Sequence, residues 1–98
     1  MPSIFDADDD AYQAWLANNS AGYVVNARRS LSPSYFVLHN AACRTIRNYT
    51  AAARRGAFTE RGYVKICSAS IDDLQRWVRQ HGRLDGSFSK KCRICGAV

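Results

Sequence analysis

Glutamate is nearly absent from this 98-residue sequence, where Glu60 stands alone. A metal-activated water needs an open coordination position and a carboxylate base beside it. Glu60 lies in a turn-like segment, far in sequence from any ligand pair. His81 closes an apolar helical stripe and has no nucleophile paired with it. The six glycines never gather into a phosphate-cradling loop. The aspartate run at 6–10 lacks the glycine and terminal glutamate of a calcium loop, and helix capping accounts for it better. These absences argue against an enzyme. Long apolar runs are missing too, since nothing approaches the roughly 18 residues of a membrane span. Residues 1–10 lack the basic start and apolar centre of a secretory signal. The expectation is one cytoplasmic domain over residues 1–98, small enough that its core needs an added staple.

Lysine and arginine are absent from residues 1–20, which hold Asp6, Asp8, Asp9 and Asp10. The remaining chain carries all 14 basic residues against 4 acidic ones, a net of +10. An acidic lead over 1–20 therefore precedes a basic body over 21–98. Such a body attracts polyanions.

Residues 6–18 read as an amphipathic helix, with aspartates at its positive end and Tyr12, Trp15 and Leu16 on one face. Residues 23–27 and 35–38 read as two strands joined in a hairpin by a loop carrying Arg28, Arg29 and the Ser32-Pro33 turn. Residues 39–46 fit a short helix with Asn40 as its cap. Residues 47–56 stay ambiguous between a helical turn and a loop. Phe58-Thr59 and residues 63–67 suggest a further strand, with a turn at Arg61-Gly62. Alternation there places Val64 and Ile66 on one face, and Tyr63, Lys65 and Cys67 on the other. Residues 71–81 form the clearest helix: Ser70 and Asp73 suggest a capping box, Ile71, Leu74, Trp77, Val78 and His81 make its stripe, and Gly82 ends it. A loop over 82–91 leads to the knuckle at 92–96. The fold class is α+β.

Cys92-x-x-Cys95 has the spacing of half a zinc site, because two intervening residues let one tight turn aim both sulfurs at an ion. A redox pair shares that spacing but usually opens a helix, and little chain follows this one. His39-x-x-x-Cys43 is the other half: on a helical turn, positions four apart face the same way. Cytosolic cysteines favour metal over disulfide. One structural zinc ion on His39, Cys43, Cys92 and Cys95 would close a loop of about 50 residues and stabilise a small core. Cys67 competes with His39 for the fourth place, since strand periodicity leaves it free to face the metal.

The order HNAAC, an extended segment, a helix, then KCRIC resembles the zinc module of the Ada-type DNA-repair proteins. It also resembles HxxxC…CxxC modules attached to nucleases. The resemblance covers about residues 35–95 and implies His39 with Cys43 as one ligand pair and Cys92 with Cys95 as the other. In Ada-type modules a zinc-bound cysteine at the first position accepts a methyl group from DNA. Here that position is His39, which has no thiolate to offer, and the spacing from Cys43 to Cys92 is longer than the family's. More loosely, YVVNARRS, SYFVLH and CRTI resemble small actinobacterial and phage-borne proteins, some near restriction-type systems.

A zinc ion joining these segments would gather Arg44, Arg47, Lys90, Lys91 and Arg93 into one basic patch, with Arg28 and Arg29 on the hairpin loop. Arg54 and Arg55 form a further pair in the ambiguous segment. The expectation is nucleic-acid binding through that patch, DNA rather than RNA, with affinity set by phosphate contacts. The alternative is a phage- or defence-related interaction module, docking on a partner or on its own copy through Tyr12, Trp15 and Leu16.

Overall fold

The computed structural model describes residues 2–47 (for Arg47 the backbone alone), 59 and 62–94. Among these residues the fold is α+β, in the order β1 (Ser3–Phe5), α1 (Asp9–Asn18), β2 (Tyr23–Arg28), β3 (Phe36–Asn40), α2 (Arg44–Arg47), β4 (Tyr63–Ser68), α3 (Ile71–Gln80) and β5 (Lys90–Lys91). The strands form one sheet in the order β1-β4-β2-β3-β5. All neighbours are antiparallel except β3 and β5, which run parallel.

Alternation along the strands gives the sheet two buried faces. On one, Val25, Ala27, Phe36, Leu38, Val64 and Ile66 pack against Leu74, Trp77 and Val78 of α3, with Phe88 closing the cluster. Trp77 meets Phe36 edge-on at 5.2 Å and stacks on His81 at 4.0 Å. The opposite face carries Val24 and Cys67, covered by Tyr12 and Leu16 of α1 and by Ala41, Cys43, Ile46 and Cys92. Each face thus has its own core, and α1 and α3 lie on opposite sides of the sheet.

The hairpin of β2 and β3 forms as its sequence suggests, with Val24 opposite His39 and Ala27 opposite Phe36. The α3 stripe is also where periodicity puts it. Gly82 follows the helix at φ +110°, and the Arg83 N–H donates to Val78 O at 2.9 Å, closing the helix end.

Other expectations are corrected. The first helix begins at Asp9, because Asp8 is its cap and accepts the Ala11 N–H at 3.0 Å. Residues before it pair with β4 as β1, so part of the lead segment is sheet. His39 belongs to β3 and not to a helix: its backbone continues the ladder with β2, and helix α2 starts only at Arg44. Asn40 is the last residue of β3 and lies outside helix α2; its carbonyl accepts the Cys43 N–H in the turn between, at 2.9 Å. The Ser70 and Asp73 capping box does not form. Ser70 makes no side-chain cap bond, and Ser68 Oγ donates to Asp73 Oδ2 at 3.0 Å in its place. Lys90 and Lys91, expected in a loop, add an edge strand to β3. Thr59 sits in a turn. The ambiguous segment at 47–56, apart from Arg47, lies outside the described residues, as do Phe58, Arg61 and Cys95. No helix among the described residues is long and apolar enough to cross a membrane.

Candidate metal centre

His39 is the fourth residue of β3, opposite Val24, on the face that α1 covers. Three residues after the strand ends, Cys43 enters the same region. The Ala41 N–H, donating to Gly22 O at 2.9 Å, fixes that turn against the end of the hairpin. Gly22 is required there by space: a Cβ would stand 3.0 Å from both Ser68 O and the Trp15 ring. Cys92 follows β5, and its N–H donates to Leu38 O at 2.8 Å. One strand, β3, therefore supplies His39 and anchors the backbone of Cys92, while the turn that follows it carries Cys43.

The ligand atoms of His39, Cys43 and Cys92 lie within 4.8 Å of one another, and all three residues are buried. Cys43 Sγ and Cys92 Sγ are 3.9 Å apart. Two sulfurs on a tetrahedral ion at about 2.3 Å each would be separated by about 3.8 Å, so the gap fits shared coordination. A disulfide would bring them to about 2 Å. Thr45 Oγ1 is 3.0 Å from Cys43 Sγ, where a hydroxyl stabilises a thiolate.

His39 supplies a further observation. Its Nδ1 is a buried ring nitrogen with no hydrogen-bond partner among the described residues. Leaving such an atom unsatisfied costs about 1–3 kcal/mol, and coordination of the ring to a metal would account for this environment. Burial and, secondarily, the nearby Lys65 charge hold the imidazole pKa down to about 4. The ring is then neutral at physiological pH, the form that binds metals. These three groups together can hold a metal ion.

Cys67 is not in this group. It sits in β4 opposite Val24, on the far side of that residue from His39, fully buried. Burial pushes its thiol well above the ordinary range.

Of the basic residues singled out by sequence, Arg44, Lys90, Lys91 and Arg93 are exposed and adjoin Cys43 or Cys92 in the chain. Arg47 ends α2. Arg28 lies at the other end of β2 from Val24, its guanidinium 4.9 Å over the Tyr35 ring. Arg29 is engaged elsewhere: it bridges Asp6 at 2.9 Å and donates to Thr59 O at 2.7 Å.

Three features escaped the sequence reading. A cleft of about 430 Å³ opens beside His39 and Cys92, with Asn26 and Tyr35 among its lining. Lys65 is buried, its Nζ donating to Asn26 Oδ1 at 2.7 Å. Asp9 is buried as well, accepting the Thr59 N–H at 2.7 Å and the Thr59 hydroxyl. The strand alternation carried a signal for Lys65, since it placed that residue on the face of Cys67. No known protein family, curated protein or solved structure matches the chain.

Proposed function

We propose that the chain is a non-enzymatic zinc module that binds nucleic acid, DNA in preference to RNA, through a basic surface built around its metal centre. His39, Cys43 and Cys92 hold the ion, and Cys95, three positions after Cys92, completes the four ligands by spacing. Two or more thiolates with an imidazole favour zinc among the common divalent ions. The burial of the three clustered groups supports a structural role for the ion. The resemblance of the HxxxC…CxxC order to modules of that pattern attached to nucleases supports the same ligand pairs.

The observation that carries the nucleic-acid reading is the placing of exposed cations next to the ligands. Arg44 follows Cys43, Lys90 and Lys91 precede Cys92, and Arg93 follows it. Cys43 Sγ and Cys92 Sγ lie 3.9 Å apart, so the residues flanking them in the chain start close together, and Lys90 and Arg93 line one cleft beside the ligands. Arg28 extends the surface past Tyr35, whereas Arg29 is partly neutralised by Asp6. Docking through α1 is the weaker reading, because Tyr12 and Leu16 are fully buried and Trp15 packs against their cluster.

Metal analysis paired with fluorescence-anisotropy titration tests the proposal. The expected result is one zinc per chain and binding of labelled DNA that weakens steeply with salt, as counterion release requires. Absence of binding at low salt would refute the nucleic-acid role, and absence of metal would refute the zinc.

A further inference from the structure

The cleft beside the metal centre has a composition that the basic surface alone does not explain. Its volume, about 430 Å³, lies within the range of small-molecule sites. Asn26 and Val37 face each other across β2 and β3 and contribute from the sheet. Ile46 and Ile94 add apolar surface, and Tyr35 adds an aromatic ring. Lys90 and Arg93, both exposed, bring two cations to the same cleft, and none of the described residues lining it is a carboxylate.

Asn26 has a fixed polarity. Its Oδ1 accepts from Lys65 Nζ at 2.7 Å, and an ammonium only donates, so the amide oxygen is assigned and its NH₂ remains as a donor. The Tyr35 ring already lies under the Arg28 guanidinium and tilts against Tyr63 at 5.7 Å, so its plane is held. The cleft therefore offers a flat ring, aliphatic surface, an amide donor and two cations.

We infer that this cleft takes a single unstacked nucleotide, its base against Tyr35 and the aliphatic side chains and its phosphate on Lys90 and Arg93. Stacking on an aromatic ring suits any base, and the cations suit the backbone. A base inside a duplex is already stacked and paired, so occupancy selects single strands or extruded nucleotides. The inference rests on the nucleic-acid reading above and sharpens it to an unpaired target.

The test titrates the zinc-loaded full chain with a short labelled single strand, with the same strand as a duplex, with adenosine monophosphate, and with inorganic phosphate. The single strand is expected to bind roughly tenfold more tightly than the duplex. Tyr35→Ala should remove that difference. Ile94→Glu, at a position 60% exposed, should keep its zinc content and weaken the single strand by placing a carboxylate at the cleft. Adenosine monophosphate should compete where phosphate does not. Equal binding of both strands, unmoved by either variant, overturns the cleft assignment but leaves the basic surface standing. Competition by phosphate as strong as by the nucleotide overturns it as well. Failure of both strands to bind overturns the nucleic-acid reading itself.

Discussion

Cys43 and Cys67 are both hidden from solvent, and their neighbours separate their chemistry. Cys43 has a second sulfur at 3.9 Å and a hydroxyl at 3.0 Å, whereas Cys67 lies in the ladder beyond Val24, outside the clustered ligands. Cys67→Ala is therefore expected to keep its full metal content and to cost on the order of 1 kcal/mol from the lost buried sulfur. Cys43→Ser and Cys92→Ser should each lose the metal and about 2 kcal/mol or more. Metal analysis with urea unfolding checks both, and loss of metal from Cys67→Ala would return that residue to the ligand set. Lys65 permits a second prediction. Burial holds its ammonium down to about 8 from 10.5, with Cys67 and Asp9 opposing the shift. Between those values the folded chain binds fewer protons than the unfolded one, so stability rises with pH across that window. Going down, the gain is lost as pH falls through about 8. The rise should reach at most ~3 kcal/mol. Unfolding curves from pH 8 to about 9, below the range where the raised Cys67 thiol acts in the opposite sense, should show the rise for the natural chain and a flatter profile for Lys65→Met. Equal slopes would assign the effect to other groups.

At the level of elements, the hairpin and α3 were readable because each is specified locally. Residues 23–27 and 35–38 are rich in β-branched and aromatic side chains, and Leu74, Trp77 and Val78 repeat at helical spacing and are buried. The strand state of His39 was not readable, since the four-residue step to Cys43 suits a helix. Pairing with Val24, a long-range contact, decides the matter. The clustered candidates His39, Cys43 and Cys92 were legible from spacing, although the turn that brings Cys43 back was not, and Cys95 lies outside the described residues. Strand β5 is only two lysines, and its hydrogen bonding to β3 leaves no mark in composition. Two side chains test how elements are joined. The Tyr12 hydroxyl donates to Ile46 O at 2.6 Å in a buried setting, tying α1 to α2. Tyr12→Phe should cost about 1–3 kcal/mol, because the carbonyl is left unsatisfied. Gly82→Ala meets both a left-handed backbone at φ +110° and Pro33 Cγ 2.5 Å from the new Cβ. Its cost should exceed ~1 kcal/mol by thermal or urea unfolding. A neutral result would mean that the 33–34 turn moves aside freely.

Across the whole molecule, the two faces of the sheet would depend to different degrees on a metal held by the candidate ligands. The α3 face is closed by ten buried side chains from β2, β3, β4, α3 and Phe88, none of them a ligand. The α1 face includes Cys43 and Cys92 in its core, so removing the ion leaves thiols and an unpartnered imidazole nitrogen within it. Stability in such a structure is not uniform, and the weaker unit opens first. Metal removal by a chelator should therefore loosen the α1 face before the sheet as a whole. The amides of Ala41, Cys43 and Cys92 report on that face through their bonds to Gly22 O, Asn40 O and Leu38 O. Amides shared by β2 and β4 report on the sheet centre. Hydrogen exchange on the metal-free chain is expected to show lost protection at the first three, with β2 and β4 still protected. If all of these amides lost protection together, folding and metal binding would form one cooperative unit. The α3 core would then not stand without the ion, and the division of the molecule into two separately supported faces would be wrong.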